Sequence, residues 1–383
     1  MAMDKVKVGI IGCGNISGIY FKMLREVYNN IIELQACADL DLARAKAKAA
    51  ENPGGPGVPG GPGVPGVKAM TVKKLLADPA IKIVVNLTIP QAHYKVAMKV
   101  LKAGKHLYGE KPLTIMRAQG RKLLALAKAK NLLVGNAPDT FMGGGIQTCR
   151  KLIDDGVIGE PVAATAFMMC RGHERWHPDP EFFYQVGGGP MFDMGPYYLT
   201  ALVTLLGPVK RVTGSARISF PTRTITSAKK NGTLVPVEVP THVTGIMDFA
   251  NGAVGTIITS FDVWAHTLPC IQIHGSKASL EVPDPNEFGG VVKICKAGET
   301  EWNEVKLTHV ADIGRGTGVA DMAYSILRPG RPHRANGELA FHVLDLMHAF
   351  HDASAKGKHV IVKSSCERPP AVPSGLAKGE LDK

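Results

Sequence analysis

Nowhere in the 383-residue sequence is there an apolar run of the roughly 20 residues that a membrane-spanning helix needs, so a helical anchor is excluded. The opening MAMDKVKVGIIG enters a strand-like pattern at once and leaves no room for a signal peptide, which makes a cytoplasmic protein the expectation. Cysteine is sparse: the seven residues Cys13, Cys37, Cys149, Cys170, Cys270, Cys295 and Cys366 are scattered, odd in number and never spaced as C-x-x-C. That excludes a disulfide framework and a zinc knuckle and leaves small buried thiols. A basic stripe interleaved with aromatics is also missing, despite a formal net charge of +12. Residues 1–136 hold 21 Lys and Arg against 8 Asp and Glu, while residues 137–383 hold 24 against 25. Much of the excess lies on helix-like stretches such as KKLLADPAIK and RKLLALAKAKN, where it reads as a solvated face. Neither nucleic acid nor membrane is therefore expected as a partner, although an anionic cofactor would be helped by the field.

What is present is ordinary globular composition, 45% hydrophobic and 20% charged, on a chain too long for one hydrophobic core. Up to Asn136 the pattern alternates: VKVGIIGCGNISGIYFKML reads as strand, glycine turn and helix, IIELQACADLDLARAKAKAAE as a second strand and helix. IKIVVNLTIP, KHLYGEKPL and LLVGNAP read as further strands separated by amphipathic helices, which predicts βαβ units on a parallel sheet. Beyond it, a helix in GGGIQTCRKLIDDG leads into PVAATAFMMC, VKRVTGSARISF, THVTGIMDFANGAVGTIITSF, PCIQIHGSKASLEV and GGVVKICKAG, punctuated by NG and GS turns. These predict an open, mainly antiparallel sheet covered on one face by MFDMGPYYLTALVTLLG and GELAFHVLDLMHAFHDASAKG. A bare second face, if apolar, would invite self-association into a homo-oligomer. The tandem GPGVPG repeat inside residues 52–66 predicts an exposed flexible loop.

In GIIGCGNISGIY, Gly12 permits a tight turn and Gly14 close backbone approach to a pyrophosphate, with Asn15 and Ile16 completing the turn and Ser17 where a third glycine is usual. Asp39, ending the second strand, can accept from ribose hydroxyls, which favours NAD over NADP; nearby Arg44 leaves NADP open. The plainer alternative is that Asp39 caps the next helix. Thr88 and Pro90 suit a loop beneath a nicotinamide, with His93 close by or simply starting a helix. Glu110 and Lys111 in YGEKPL follow a strand, the edge where doubly wound folds bind ligands, and a lysine there suits proton transfer with a secondary alcohol. The single carboxylate of QVGGGPMFDMGPYY, Asp193, needs a partner if buried; it also precedes an apolar helix that it could cap.

Taken in order, GIIGCGN, ADLD, NLTIPQAH, GEKPL, GGGPMFDMGPYY and ELAFHVLDLMHAF resemble the Gfo/Idh/MocA family of NAD(P)-dependent sugar and cyclitol oxidoreductases over nearly the whole chain. The resemblance implies an α/β fold: an N-terminal Rossmann domain over 1–136 and a substrate-binding and oligomerisation α+β domain on a mainly antiparallel sheet over 137–368; residues 369–383, like the Pro-Gly insert, lie outside it and read as a surface tail. It implies that Lys111 contacts substrate and cofactor, and that Asp193 works with a histidine four positions on. Tyr197 stands there instead, a phenol with an ordinary pKa of about 10 against about 6.5 for imidazole. Lys111, Asp193 and Tyr197 are therefore the expected catalytic residues, with Lys111 alone as the other option for proton transfer.

The upstream RGHERWHPDPEFFYQ is rich in sugar-binding groups and resembles segments of sugar or glycoside 3-dehydrogenases. Trp176, Phe182, Phe183 and Tyr184 can stack on a pyranose; Arg171, His173, His177 and Asp179 can bond its hydroxyls. His173 and His177 have a metal-like spacing, but Pro178 and Pro180 oppose a helix and no acidic motif accompanies them, so no metal is expected. His342 and His348, on a helix, could reach the cleft or be structural. The expected activity is NAD-dependent oxidation of a secondary hydroxyl, at carbon 3 of a pyranose sugar, glycoside or cyclitol. The alternatives are a redox-neutral glycosidase or lyase working through a transient 3-keto sugar, and a non-catalytic nucleotide-sensing regulator of the same fold.

Overall fold

A computed structural model describes residues 5–55 and 64–382 of the chain. It divides into two compact units: Met1–Gly144 with Thr308–Ala340 and Pro369–Lys383, and Gly145–Leu307 with Phe341–Arg368. The loop expected over 52–66 falls largely on residues 56–63, outside the described residues.

The first unit carries six parallel strands, β1 (Val6–Ile11), β2 (Ile32–Ala38), β3 (Lys68–Met70), β4 (Ile83–Asn86), β5 (His106–Gly109) and β6 (Val134–Asn136). Their order is β3-β2-β1-β4-β5-β6, so the direction of winding reverses between β1 and β4. A parallel strand covered on both faces is buried along its length, and β4 is buried at every position of IVVN, its one polar side chain, Asn86, being hydrogen-bonded. The helices α1 (Ser17–Lys22), α2 (Leu42–Ala50), α3 (Val72–Ala77), α4 (Pro90–Lys102) and α5 (Arg117–Ala129) are the crossovers. Asp41 caps α2 through the Ala43 N–H at 2.9 Å, a bond typically worth about 1 kcal/mol. Pro90 opens α4, where its missing N–H costs no helical bond.

Residues 369–383, expected as a surface tail, belong to this unit, as does the helix Thr317–Leu327. Asp321 of that helix is wholly buried and takes the guanidinium groups of Arg331 and Arg334. Arg331 donates on to Asp382 at 2.7 Å, and Arg334 to the Pro370 and Ala371 carbonyls at 3.0 and 3.1 Å. Buried charges demand such full pairing, and the pairing seats Val372 and Leu381 in the interior.

The second unit is built on β7 (Pro161–Met169), β8 (Val209–Arg217), the small hairpin β9 (Thr222–Thr224) and β10 (Leu234–Pro236), and then β11 (His242–Phe249) to β12 (Val254–Ser260). The strands β13 (Ile271–Gly275), β14 (Ala278–Val282), β15 (Val292–Lys296), β16 (Asn303–Val305) and β17 (Val360–Ile361) complete a sheet ordered β16-β15-β14-β13-β7-β12-β11-β8-β17. The pairings are antiparallel except β7 with β12. Alternate residues of β11, Val243, Gly245, Met247 and Phe249, face inward. The helix Gly195–Leu206, buried at every residue, packs against β7 on the inner face. On the opposite face Ile246 and Val254 are exposed among Thr213, Thr244 and Thr256.

Candidate active site

In the first unit the turn after β1 lies across the end of β4. Gly12 has φ +106°, and a Cβ there would sit 2.7 Å from the carbonyl carbon and oxygen of Leu87, so only glycine fits. Gly14, Asn15 and Ile16 are exposed, and the space beside Gly14 is open. Ser17 is buried and its hydroxyl donates to the Gly14 carbonyl at 2.6 Å, bracing the turn from behind. Asp39 accepts the Cys13 N–H at 2.8 Å on one oxygen and the Asp41 N–H at 3.0 Å on the other. Because Asp41 caps α2, Asp39 is a turn-holding carboxylate and not the helix cap. An exposed glycine turn at a helix start, with a carboxylate fixed beside it, fits a dinucleotide: free N–H groups for pyrophosphate and Asp39 for ribose hydroxyls.

The loops after β4 and β5 are tied together by a buried network. Thr88 donates its hydroxyl to Asn86 Oδ1 at 2.7 Å, and Asn86 donates to the His93 carbonyl at 3.2 Å. His93, 2% exposed, faces the Pro112 carbonyl through Nδ1 at 2.7 Å and the Thr88 carbonyl through Nε2 at 2.9 Å. Desolvation pushes its pKa below the ordinary imidazole value, so the neutral ring carries one N–H between two acceptors. Glu110 is buried; it accepts the Tyr20 hydroxyl at 2.7 Å and the Lys111 backbone N–H at 3.0 Å. Burial, with Glu110 adjacent, drives the Tyr20 phenol well above its usual pKa and keeps it a donor. Lys111, half-buried, thus extends from a loop held by Glu110 on one side and, through Pro112, by His93 on the other.

In the second unit Asp193 ends the short helix Gly189–Asp193. The helix Gly195–Leu206 starts from Met194, one residue after Asp193, so Asp193 is not its N-cap residue. Its Oδ2 stands 2.9 Å from Nε2 of His173, with both side chains largely buried. The glycine run brings this about: a Cβ on Gly188 would lie 2.5 and 2.6 Å from the Phe182 and Phe183 carbonyl oxygens, so the aromatic turn presses on bare backbone. Phe183 and Phe261 then meet the His173 ring edge-on at 4.3 and 4.7 Å. Tyr197 is buried in the helix Gly195–Leu206.

The remaining candidates separate. Trp176 is 56% exposed and available for stacking, whereas Tyr184 is fully buried. Tyr184 donates its hydroxyl to Glu174, which also pairs with Arg223, so its ring is part of the support and not of an open surface. His177 accepts the Asp179 N–H at 3.1 Å on Nδ1, and burial lowers its pKa. Arg171 lies 4.8 Å over the exposed Trp264 ring. His342 is structural: Nε2 accepts the Val209 N–H at 3.1 Å and Nδ1 faces Ser364 Oγ at 3.0 Å. Sequence reading did not single out Tyr20, Asn86 or Trp264. For Tyr20 a signal exists, a phenol on the inner side of the first helix; Trp264 lies in a loop with no motif.

A sheet wound in this order, with a glycine turn and an acidic strand end at its switch point, defines a dinucleotide-binding α/β protein. Residues 6–137 match the sequence profile of the oxidoreductase family with an NAD-binding Rossmann fold, and residues 146–281 match that of the GFO/IDH/MocA C-terminal domain. The chain belongs to the GFO/IDH/MocA oxidoreductase family. An uncharacterized oxidoreductase of Schizosaccharomyces pombe is 28% identical over 218 residues, 55% of this chain and 54% of that protein, so the match spans about half its length. A D-xylose 1-dehydrogenase (NADP(+)) of Hypocrea jecorina is 29% identical over 280 residues, 67% of this chain and 68% of that one. A solved levoglucosan dehydrogenase in complex with NADH has the same fold, with TM-score 0.76 over 94% of this chain and 100% of that one at 19% identity. Among the described residues no helix is long and apolar enough to cross a membrane.

Proposed function

We propose that the chain oxidises a secondary hydroxyl of a pyranose sugar, glycoside or cyclitol, at carbon 3, with NAD as the oxidant. The observation that carries this reading is the setting of Lys111: directly after β5, at the carboxyl ends of the parallel strands, on a loop held by Glu110 and His93. The turn Gly12–Ile16 would hold the pyrophosphate, Asp39 the adenosine ribose, and Thr88, Pro90, Glu110 and Lys111 the nicotinamide end. When bound, the nicotinamide supplies the hydride acceptor. Lys111 binds the reacting hydroxyl, Asp193 holds the sugar ring in register with Tyr197 completing the catalytic set, and Trp176 offers an exposed face for stacking. Arg171, His173 and His177 complete the polar surface for the sugar. The position, carbon 3, rests on the resemblance of the WHPDPEFFY segment alone, and the D-xylose dehydrogenase relative supports a sugar as substrate. Self-association through the sheet face bearing Ile246 and Val254 belongs to the same proposal, and so does a cytoplasmic setting.

The test is the growth of NADH absorbance with NAD and a panel of sugars, cyclitols and aryl glycosides, beside a Lys111→Ala control. Growth with a subset, lost in the control, supports the dehydrogenase. Aglycone release without net NADH would instead identify the redox-neutral glycosidase, and cofactor binding with no substrate consumed would identify the sensor.

A further inference from the structure

We propose that His173, held by Asp193, is the group that takes the proton from the substrate hydroxyl. The inference rests on the oxidoreductase reading above and assigns its proton acceptor. Three observations carry it, all within the second unit. Asp193 Oδ2 is an acceptor 2.9 Å from His173 Nε2, so a neutral imidazole carries its proton on Nε2 and donates it to the carboxylate. That tautomer leaves the lone pair on Nδ1, and among the described residues Nδ1 has no hydrogen-bond partner. Finally, the ring cannot turn freely: Phe183, Phe261 and Trp176 pack around it edge-on at 4.3, 4.7 and 5.2 Å.

A carboxylate on one nitrogen and an open lone pair on the other is the arrangement that makes histidine a general base, because the carboxylate fixes the tautomer and stabilises the imidazolium as it forms. The backbone is equally fixed. The His173 carbonyl accepts the N–H groups of Trp176 and His177 at 3.2 and 2.9 Å, and the Glu174 carbonyl accepts those of Thr226 and Ser227, both at 3.0 Å. Tyr197, four residues after Asp193, stands where the resemblance leads one to expect a histidine. His173 reaches the same carboxylate from 20 residues upstream.

The step balances. The hydroxyl O–H bond breaks and its proton forms the Nδ1–H bond of His173; the carbon–oxygen double bond forms as the hydride leaves to the oxidised nicotinamide. The imidazolium then releases the proton to solvent, and Asp193 stays ionised throughout.

The test has a kinetic arm and a spectroscopic arm. His173→Gln keeps a donor toward Asp193 and removes the proton acceptor. It is expected to lower kcat on the order of 100-fold with KM changed less than about threefold, at unchanged thermal midpoint and NADH affinity. A kcat within about threefold of the parent, in a folded variant, overturns the proposal. In the second arm, imidazole 15N NMR of the full chain, assigned with His173→Gln, reads the tautomer. A neutral ring protonated on Nε2, with the proton redistributed in Asp193→Asn, is expected; a neutral ring protonated on Nδ1 overturns the assignment. If the parent oxidises no sugar or cyclitol at all, the functional reading fails, and with it any role of the dyad in oxidation, whatever the tautomer proves to be.

Discussion

His93 Nδ1 lies 2.7 Å from the carbonyl oxygen of Pro112, and the opposite nitrogen of the same ring lies 2.9 Å from the carbonyl of Thr88. One buried imidazole therefore joins the loop that carries Lys111 to the loop expected beneath the nicotinamide. His93→Leu keeps the bulk and removes the donor, leaving two carbonyls with one partner fewer. A loss of about 1–3 kcal/mol in urea unfolding is expected, the usual cost of an unmade buried hydrogen bond. NADH affinity, followed by fluorescence titration, should fall as well. Unchanged stability and affinity would show that the ring only fills space.

The two turn glycines separate fold from binding. Gly12→Ala forces a methyl group to 2.7 Å from Leu87 backbone atoms at a φ of +106°, so it should destabilise the first unit by more than about 1 kcal/mol. Gly14→Ala meets nothing within 4 Å and should fold as the parent does. In the proposed cofactor placement its methyl group occupies the approach to the pyrophosphate, so NADH affinity should drop at least about tenfold, some 1.4 kcal/mol. Calorimetry and fluorescence titration on the pair decide the matter; full affinity in Gly14→Ala would move the cofactor elsewhere.

In the proposed function Asp39 sets the coenzyme preference. A 2′-phosphate would meet its carboxylate, so NAD should be preferred over NADP. Asp39→Ser keeps an acceptor for the Cys13 N–H, now at 2.8 Å from Oδ2, and removes the charge. The ratio of kcat/KM for NAD to that for NADP is expected to fall at least about tenfold. A ratio that does not move would mean that another residue reads the ribose.

His342 gives the second unit an acid limit. Burial depresses its pKa to about 4, against the smaller opposing effects of Asp345 and Ser364. The folded state thus refuses a proton that the unfolded chain takes up near pH 6.5. The stability that depends on the neutral ring is complete above about pH 6.5 and is lost as the pH falls toward 4, by about 3 kcal/mol in all. Protonating Nε2 would also break the bond from the Val209 N–H. Urea midpoints at about pH 7.5 and about pH 4.5 should differ less in His342→Gln than in the parent, while at the higher pH the variant is the less stable. Parallel pH dependence in the two proteins would exclude His342 as the source.

Local periodicity made most of the fold legible. The strands around GIIGCGN, NLTIP and GEKPL stand where alternating apolar runs place them, because each is buried by its own neighbours in a parallel sheet. The hairpins marked by NG and GS are likewise local events. What the sequence did not disclose are pairings made by long excursions. Asp193 and His173 are 20 residues apart, joined by a proline-containing turn and a glycine run with no repeating pattern. The anchoring of residues 369–383 depends on Asp321 collecting two arginines from RPGRPHR. Its only trace in the sequence is a lone carboxylate in the apolar stretch GVADMAYSIL. Stacking by Tyr184 is set aside for a similar reason: Glu174 takes its hydroxyl into the interior, which composition cannot reveal.

The most direct test of the account is to follow the hydride itself. A glycopyranoside accepted by the enzyme, labelled with deuterium at carbon 3, is incubated with NAD, and the reduced cofactor is analysed by mass spectrometry. The account predicts reduced cofactor carrying the label, with the sugar recovered as its 3-keto form. Unlabelled reduced cofactor would contradict oxidation at carbon 3, and no reduced cofactor from any hydroxyl-bearing sugar would contradict the dehydrogenase reading.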